Sequence, residues 1–232
     1  MRSNLIWSSV MALCVFWTSF SHADMVTLNF EDSGPSLGDA LERATSSGFD
    51  SVTFPLDFAV DAEGDIAAPG SEALVITILS AQGNGGATDF DGATSSFGIH
   101  SPGADAGTQR FDASNNEQFE FSLDQNVEIT RLDLASLTGS EVFELSFEVD
   151  GEVSTLSIVN SDGDTFDVVD ISDDPFFIPA DTAVLVRAAT GSVGLQDVTV
   201  NVLEPTSTSV PEPSSMLGLM GLAGLLAVKR RR

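Results

Sequence analysis

The chain is 232 residues long and carries 35 acidic side chains against nine lysines and arginines, a formal net charge of −26. A surface of that sign repels nucleic acid and anionic lipid, so neither is expected as a partner of the folded body. One cysteine rules out a disulfide framework, and with two tryptophans and no tyrosine the aromatic chemistry rests almost wholly on phenylalanine.

Arg2 precedes an apolar stretch over residues 5–20, and Ser21-His22-Ala23 then supplies the small residues that signal peptidase accepts before Asp24. This pattern predicts a signal helix over residues 1–23, removed on export, so that the mature chain begins at Asp24. Cys14 follows Met11-Ala12-Leu13, where a lipoprotein signal needs a small residue in place of Leu13, so lipidation is not expected. Cleavage removes Cys14, Trp7 and Trp17 together. Without disulfides, stability in the exported body must come from its core and from any bound cations.

Residues 24–203 read as one acidic, all-β domain. Between residues 24 and 210 lie 34 of the acidic side chains against four arginines, a net charge of −30 with no lysine. Strands are predicted over residues 26–30, 52–60, 74–79, 119–123, 127–134, 143–149, 156–159, 166–171, 182–188 and 193–202. The clearest period-two alternation is Phe119, Phe121, Leu123 and then Phe143, Leu145, Phe147, Val149, each with polar residues between. Asp150-Gly151 is the strongest hairpin signal, because a type I′ turn needs positive φ at both central positions. The apolar phase slips between Ile129 and Leu132 and between Leu195 and Val198, which predicts a bulge in each strand. One helix is expected over residues 37–45, with Ser36 as N-cap, Asp39 and Glu42 early and Arg43 late, although Gly38 counts against it. Residues 83–86 and 101–107 read as loops, and residues 204–210 as a linker. So many short strands imply a two-sheet antiparallel β-sandwich.

Residues 24–203 contain one histidine, His100, and no cysteine, lysine or tyrosine, so the usual kit for nucleophilic or general-base catalysis is nearly empty. No G-x-S-x-G elbow accompanies His100, which reads as a solvated strand end. Paired carboxylates suited to glycoside hydrolysis are plentiful, but the aromatic platforms of a sugar cleft are missing. The chain is therefore read as non-enzymatic. Calcium is the expected small partner, if there is one. Asn160, Asp162 and Asp164 alternate around a turn, and Asp89 and Asp91 follow a glycine-rich stretch, which together offer oxygen ligands for a hard cation. Neither segment completes an EF-hand loop or a glycine-rich calcium nonapeptide, and ordinary turn chemistry explains both as well.

The C-terminal residues are the most specific part of the sequence. Val210-Pro211-Glu212-Pro213-Ser214-Ser215 leads into an apolar run over residues 216–228 and then Lys229, Arg230, Arg231 and Arg232. As a helix, residues 214–228 rise roughly 22 Å, a short single transmembrane span that a thin bilayer accommodates. The basic cluster stays cytoplasmic by the positive-inside rule. Residues 211–232 resemble the PEP-CTERM sorting domain, whose members share the Pro-Glu-Pro triplet, the spanning helix and the basic end. The resemblance implies recognition by an exosortase near Pro211, Glu212 and Pro213. It also implies a precursor anchored transiently in the inner membrane of a Gram-negative bacterium, and delivery to the cell surface or extracellular matrix. The run from Phe119 to Leu134 looks like a strand pair of other exosortase-sorted bodies, with Ile178-Pro179-Ala180-Asp181-Thr182 as its later partner, which implies a jelly-roll-like sandwich. The reading is an exported structural or adhesive protein that meets exopolysaccharide. A calcium-dependent glycan-binding module is the alternative, and a secreted hydrolase the second.

Overall fold

The computed structural model describes residues 24–31, 34–46, 48–84, 89–93, 96–100, 110–135, 137, 139–159 and 166–203. The expected signal helix and the C-terminal transmembrane helix lie outside the described residues. In chain order the elements are β1 (Asp24–Asn29), α1 (Leu37–Thr45), β2 (Leu56–Val60), β3 (Leu74–Gln82), β4 (Asp89–Ala93), β5 (Ser96–His100), β6 (Phe111–Asp112) and β7 (Gln118–Leu123). There follow β8 (Val127–Ala135), β9 (Val142–Val149), β10 (Glu152–Val159), β11 (Phe166–Asp170), β12 (Phe176–Ile178), β13 (Val184–Thr190) and β14 (Ser192–Val202).

These strands form two antiparallel sheets. One has the order β10-β9-β13-β7-β3-β2. The other is built on β14, the longest strand, which pairs with β8 along one side and with β6, β5 and β1 in turn along the other. The far side of β8 is shared by β11 and β12, and β4 pairs with β5. Alternation decides which side chains face inward. Phe119, Phe121 and Leu123 of β7 and Phe143, Leu145 and Phe147 of β9 are all buried, as are Val26 and Leu28 of β1. One apolar cluster runs between the sheets from Val26 to Val202, so the first and last strands both belong to the core.

The hairpin at Asp150-Gly151 has φ of 54° and 83° at its two central residues, and Val149 faces Glu152 across it. Both phase slips are bulges. Thr199 pairs with Arg131 while Val200 pairs with Ile129, which leaves Thr130 as the extra residue on β8. Leu195 pairs with Leu134 while Asp197 pairs with Asp133, which leaves Gln196 extra on β14. The helix forms with its expected cap, since the Ser36 hydroxyl accepts the Asp39 N–H at 3.2 Å. Gly38 belongs there for a steric reason: a Cβ at that position would lie 2.0 Å from the Phe30 carbonyl oxygen.

Three expectations are corrected. Strand β2 begins at Leu56 and not near residue 52, because Pro55 has no N–H for a ladder and residues 49–51 form a 3-10 turn. Asp89-Phe90-Asp91-Gly92 is the strand β4 rather than a loop. Finally, β7 and β8 are not paired with each other, since they lie in opposite sheets. The chain crosses between sheets at residues 124–126, where the Asp124 N–H bonds the Val75 carbonyl and the Asn126 carbonyl accepts from Leu203. The segment expected as their later partner does meet both, because Ile178 pairs with Val127 and the Asp181 N–H bonds the Leu123 carbonyl.

Candidate functional site

The first candidate is the junction between body and tail. Asp24 opens β1 directly opposite Val202 near the end of β14. The Leu203 N–H then bonds the Asn126 carbonyl at 2.8 Å and fixes the last described residue to the sheet. Both ends of the body thus leave from adjacent strands at one end of the sandwich, at a separation of about 5 Å. Residues 204–210, even fully extended, reach at most about 25 Å. Pro211, Glu212, Pro213, Lys229, Arg230, Arg231 and Arg232 lie outside the described residues.

Of the residues expected to bind a cation, Asn160, Asp162 and Asp164 also lie outside the described residues. Asp91 follows the fully buried Phe90 on β4, so it lies on the strand face away from the core. Asp91 is half-buried, and the side chain of Asp89 is not among those described. His100 ends β5 opposite Asp89. Among the described residues no group of three or more His, Cys, Asp or Glu side chains could hold a metal ion. Among them, too, no helix is long and apolar enough to cross a membrane.

Two surface features were not legible as sites in the sequence. On the outer face of the larger sheet, Asn29, Asp197 and Asp133 form one cross-strand row. Arg131 grips Asp133 with two bonds of 2.7 Å, and Gln196 bonds Glu31 at 3.2 Å. Burial pushes the Asp197 carboxyl from 3.8 up to about 6, with the charges of Glu31 and Asp133 adding to the rise and Arg131 partly offsetting it. The bulge at Gln196 places Asp197 in this row, and the phase slip in the sequence was its only signal. The second feature is a shallow groove of about 360 Å³ lined by Gln82, Asn84, Asn116 and Gln118. Asn116 donates to the Asn84 side-chain oxygen at 3.2 Å. Primary amides present donor and acceptor together, which suits a neutral hydroxyl-rich ligand better than an ionic one.

The row at Asp197 has a consequence for stability. An unfolded aspartate loses its proton near pH 3.8, whereas Asp197 in the fold keeps it until about pH 6. Within that window the native state binds more protons than the unfolded chain, so stability falls as pH rises. Unfolding titrations should therefore find the wild type more stable at pH 5 than at pH 7. Asp197→Asn should add about 1 kcal/mol at pH 7, after allowance for solvent screening, and little at pH 4. An equal effect at both pH values would remove Asp197 as the source.

Residues 209–232 match the model of the PEP-CTERM protein-sorting motif, about the last tenth of the chain. No curated protein and no solved structure matches the chain.

Proposed function

The chain carries a PEP-CTERM protein-sorting motif, which marks an exported, exosortase-targeted protein of the cell envelope, and on that premise we propose a non-catalytic structural or adhesive role for its body at the cell surface or in the extracellular matrix. The precursor enters the inner membrane of a Gram-negative host through the apolar helix of residues 214–228, with Lys229, Arg230, Arg231 and Arg232 held inside. Signal peptidase frees Asp24, and an exosortase acts at Pro211, Glu212 and Pro213. The body is then a jelly-roll-like sandwich that meets exopolysaccharide.

The observation that carries this reading is the motif itself. The body supports it by closing on itself just where processing must occur, since Asp24 pairs with Val202 and leaves both ends of the sandwich side by side. A non-catalytic role is supported by residues 24–203 having no cysteine, lysine or tyrosine and one histidine. A glycan-binding module is the second reading, supported by the carboxamide groove of Gln82, Asn84, Asn116 and Gln118.

Deleting residues 214–232 tests the role of the tail in the native host. Without the helix and its basic end, the protein should pass through the secretory route as soluble material and never occur in the inner-membrane fraction. A distribution unchanged from wild type would show that the tail does not sort the body.

A further inference from the structure

Strand β10 lies at the edge of the smaller sheet but has the composition of an interior strand. After Glu152 it reads Val-Ser-Thr-Leu-Ser-Ile-Val, with no charge, proline or glycine. In a body with a net charge of −30, such an uncharged run otherwise belongs to β3, which is covered on both sides by β2 and β7. Val153 and Val159 are 67% and 56% exposed, the largest exposures of valine in the described chain besides Val168.

The other sheet edges are protected. Along β2, Asp57 supplies charge, Pro55 stands at the start, and the Ala67 N–H turns back to bond the Ala59 carbonyl. At β4 the Phe90 N–H is taken by the Thr45 hydroxyl of α1 at 3.0 Å. The β1 edge donates Thr27 N–H to Ala62. The edge formed by β11 and β12 is interrupted by Asp173, Asp174 and Pro175. Charge, proline, a covering helix and broken strands are the usual means of keeping an edge from pairing. Among the described residues, β10 pairs with β9 alone and shows none of them past Glu152.

We propose that β10 is a self-pairing edge, through which two copies of this chain join antiparallel about a two-fold axis at Leu156. In a two-residue hairpin the flanking residues, here Val149 and Glu152, form the hydrogen-bonded pair. The N–H and C=O groups of Val153, Thr155, Ser157 and Val159 therefore point away from β9 toward the open edge. An axis at Leu156 sets Val153 against Val159 and Thr155 against Ser157, so all four residues satisfy their outward groups at once. Val–Val and Thr–Ser are favourable cross-strand pairs, and Leu156, already packed against the core, meets its own copy on the inner face.

Charge selects the occupant. A basic partner would seek the acidic faces, whereas this strand offers a neutral strip that matches only another neutral strip. The register also separates like charges. Glu148 lies beside Val153 and Glu144 beside Ser157. Across the four strands at the joint, each outer-face row through Val153, Thr155, Ser157 or Val159 then holds a single glutamate, next to Val153 or Ser157. The pairing concerns the folded body alone and does not depend on how the tail is processed.

A single-strand edge makes a small interface, so the association is expected to be weak and reversible. Because two highly acidic bodies repel, it should tighten as salt screens them, the opposite of an interface held by charge complementarity. Protein released by the native host should shift from monomer toward dimer in analytical ultracentrifugation as NaCl rises from about 0.02 M to about 0.5 M. Thr155→Lys should remain monomeric throughout. In a Cys14→Ser background, Leu156→Cys should cross-link to itself in cells under mild oxidation, because directly opposed non-hydrogen-bonded residues lie within disulfide reach. Val153→Cys, far from its own copy in this register, should cross-link at least about tenfold less. A wild type that stays monomeric at high salt, a dimer that survives Thr155→Lys, or equal cross-linking at both positions would each overturn the proposal.

Discussion

Phe119→Ala is expected to lower stability by about 3–5 kcal/mol, the range for removing a large aromatic side chain from a close-packed core. Phe119 is 1% exposed on β7 of the smaller sheet. Its ring lies 5.6 Å from Phe90, 5.7 Å from Phe111 and 6.4 Å from Phe30, three rings contributed by the opposite sheet side of the core. The ring therefore joins the two layers, and its loss opens a cavity bordered by residues whose backbones are held in different sheets and cannot collapse together. Domains of this size have about 5–15 kcal/mol to lose, and the melting temperature should fall by about 6–20 °C. Circular dichroism is the suitable probe, since residues 24–203 contain neither tryptophan nor tyrosine. The exposed Val153→Ala should change stability by no more than about 0.5 kcal/mol. A loss below about 1 kcal/mol at Phe119 would contradict the two-sheet packing.

Replacing Pro211, Glu212 and Pro213 together by alanine should have the largest effect in the cell. The apolar run and the four basic residues that drive and orient insertion remain, so the precursor should still enter the membrane. In the proposed reading, what is lost is the proline-bounded triplet that the exosortase recognises. Full-length protein should accumulate in the inner-membrane fraction, with the processed form reduced to a trace. Normal processing of this variant would show that the triplet is not read. The contrast with deletion of residues 214–232, which should leave no membrane-held form at all, separates recognition from anchoring.

Local pattern was a sound guide wherever a strand carried its own period. Strands β7 and β9 alternate cleanly, Asp150-Gly151 can hardly do other than turn, and the slips around Thr130 and Gln196 are bulges because the inward phase must be restored before the next core residue. The misread segments depend on distant partners. Strand β4 offers a single core side chain, Phe90, amid aspartates and a glycine. It becomes a strand because the Phe90 ring stacks 5.1 Å from Phe97 and its N–H finds Thr45. No sequence window contains those contacts. The short connection after Leu123 has the look of a hairpin turn, but Asn126 accepts the Ala180 N–H at 2.8 Å and binds the chain across to the other sheet. The Asp197 row and the carboxamide groove were hidden for the same reason, because each draws on strands far apart in the chain.

The sorting motif was legible because its parts are contiguous in the sequence, from the Pro-Glu-Pro triplet to the apolar run to the basic end. The core of the described residues runs from Val26 to Val202, so the proposed cleavage beyond residue 203 should leave that core intact. Mass spectrometry of the terminal peptides, on protein recovered from the surface or medium of the native host, tests this account most directly. The expected result is an N-terminus at Asp24 and a C-terminus close to Pro211, Glu212 and Pro213, with no peptide from residues 216–232. Recovery of surface protein that retains Lys229, Arg230, Arg231 and Arg232 would contradict it.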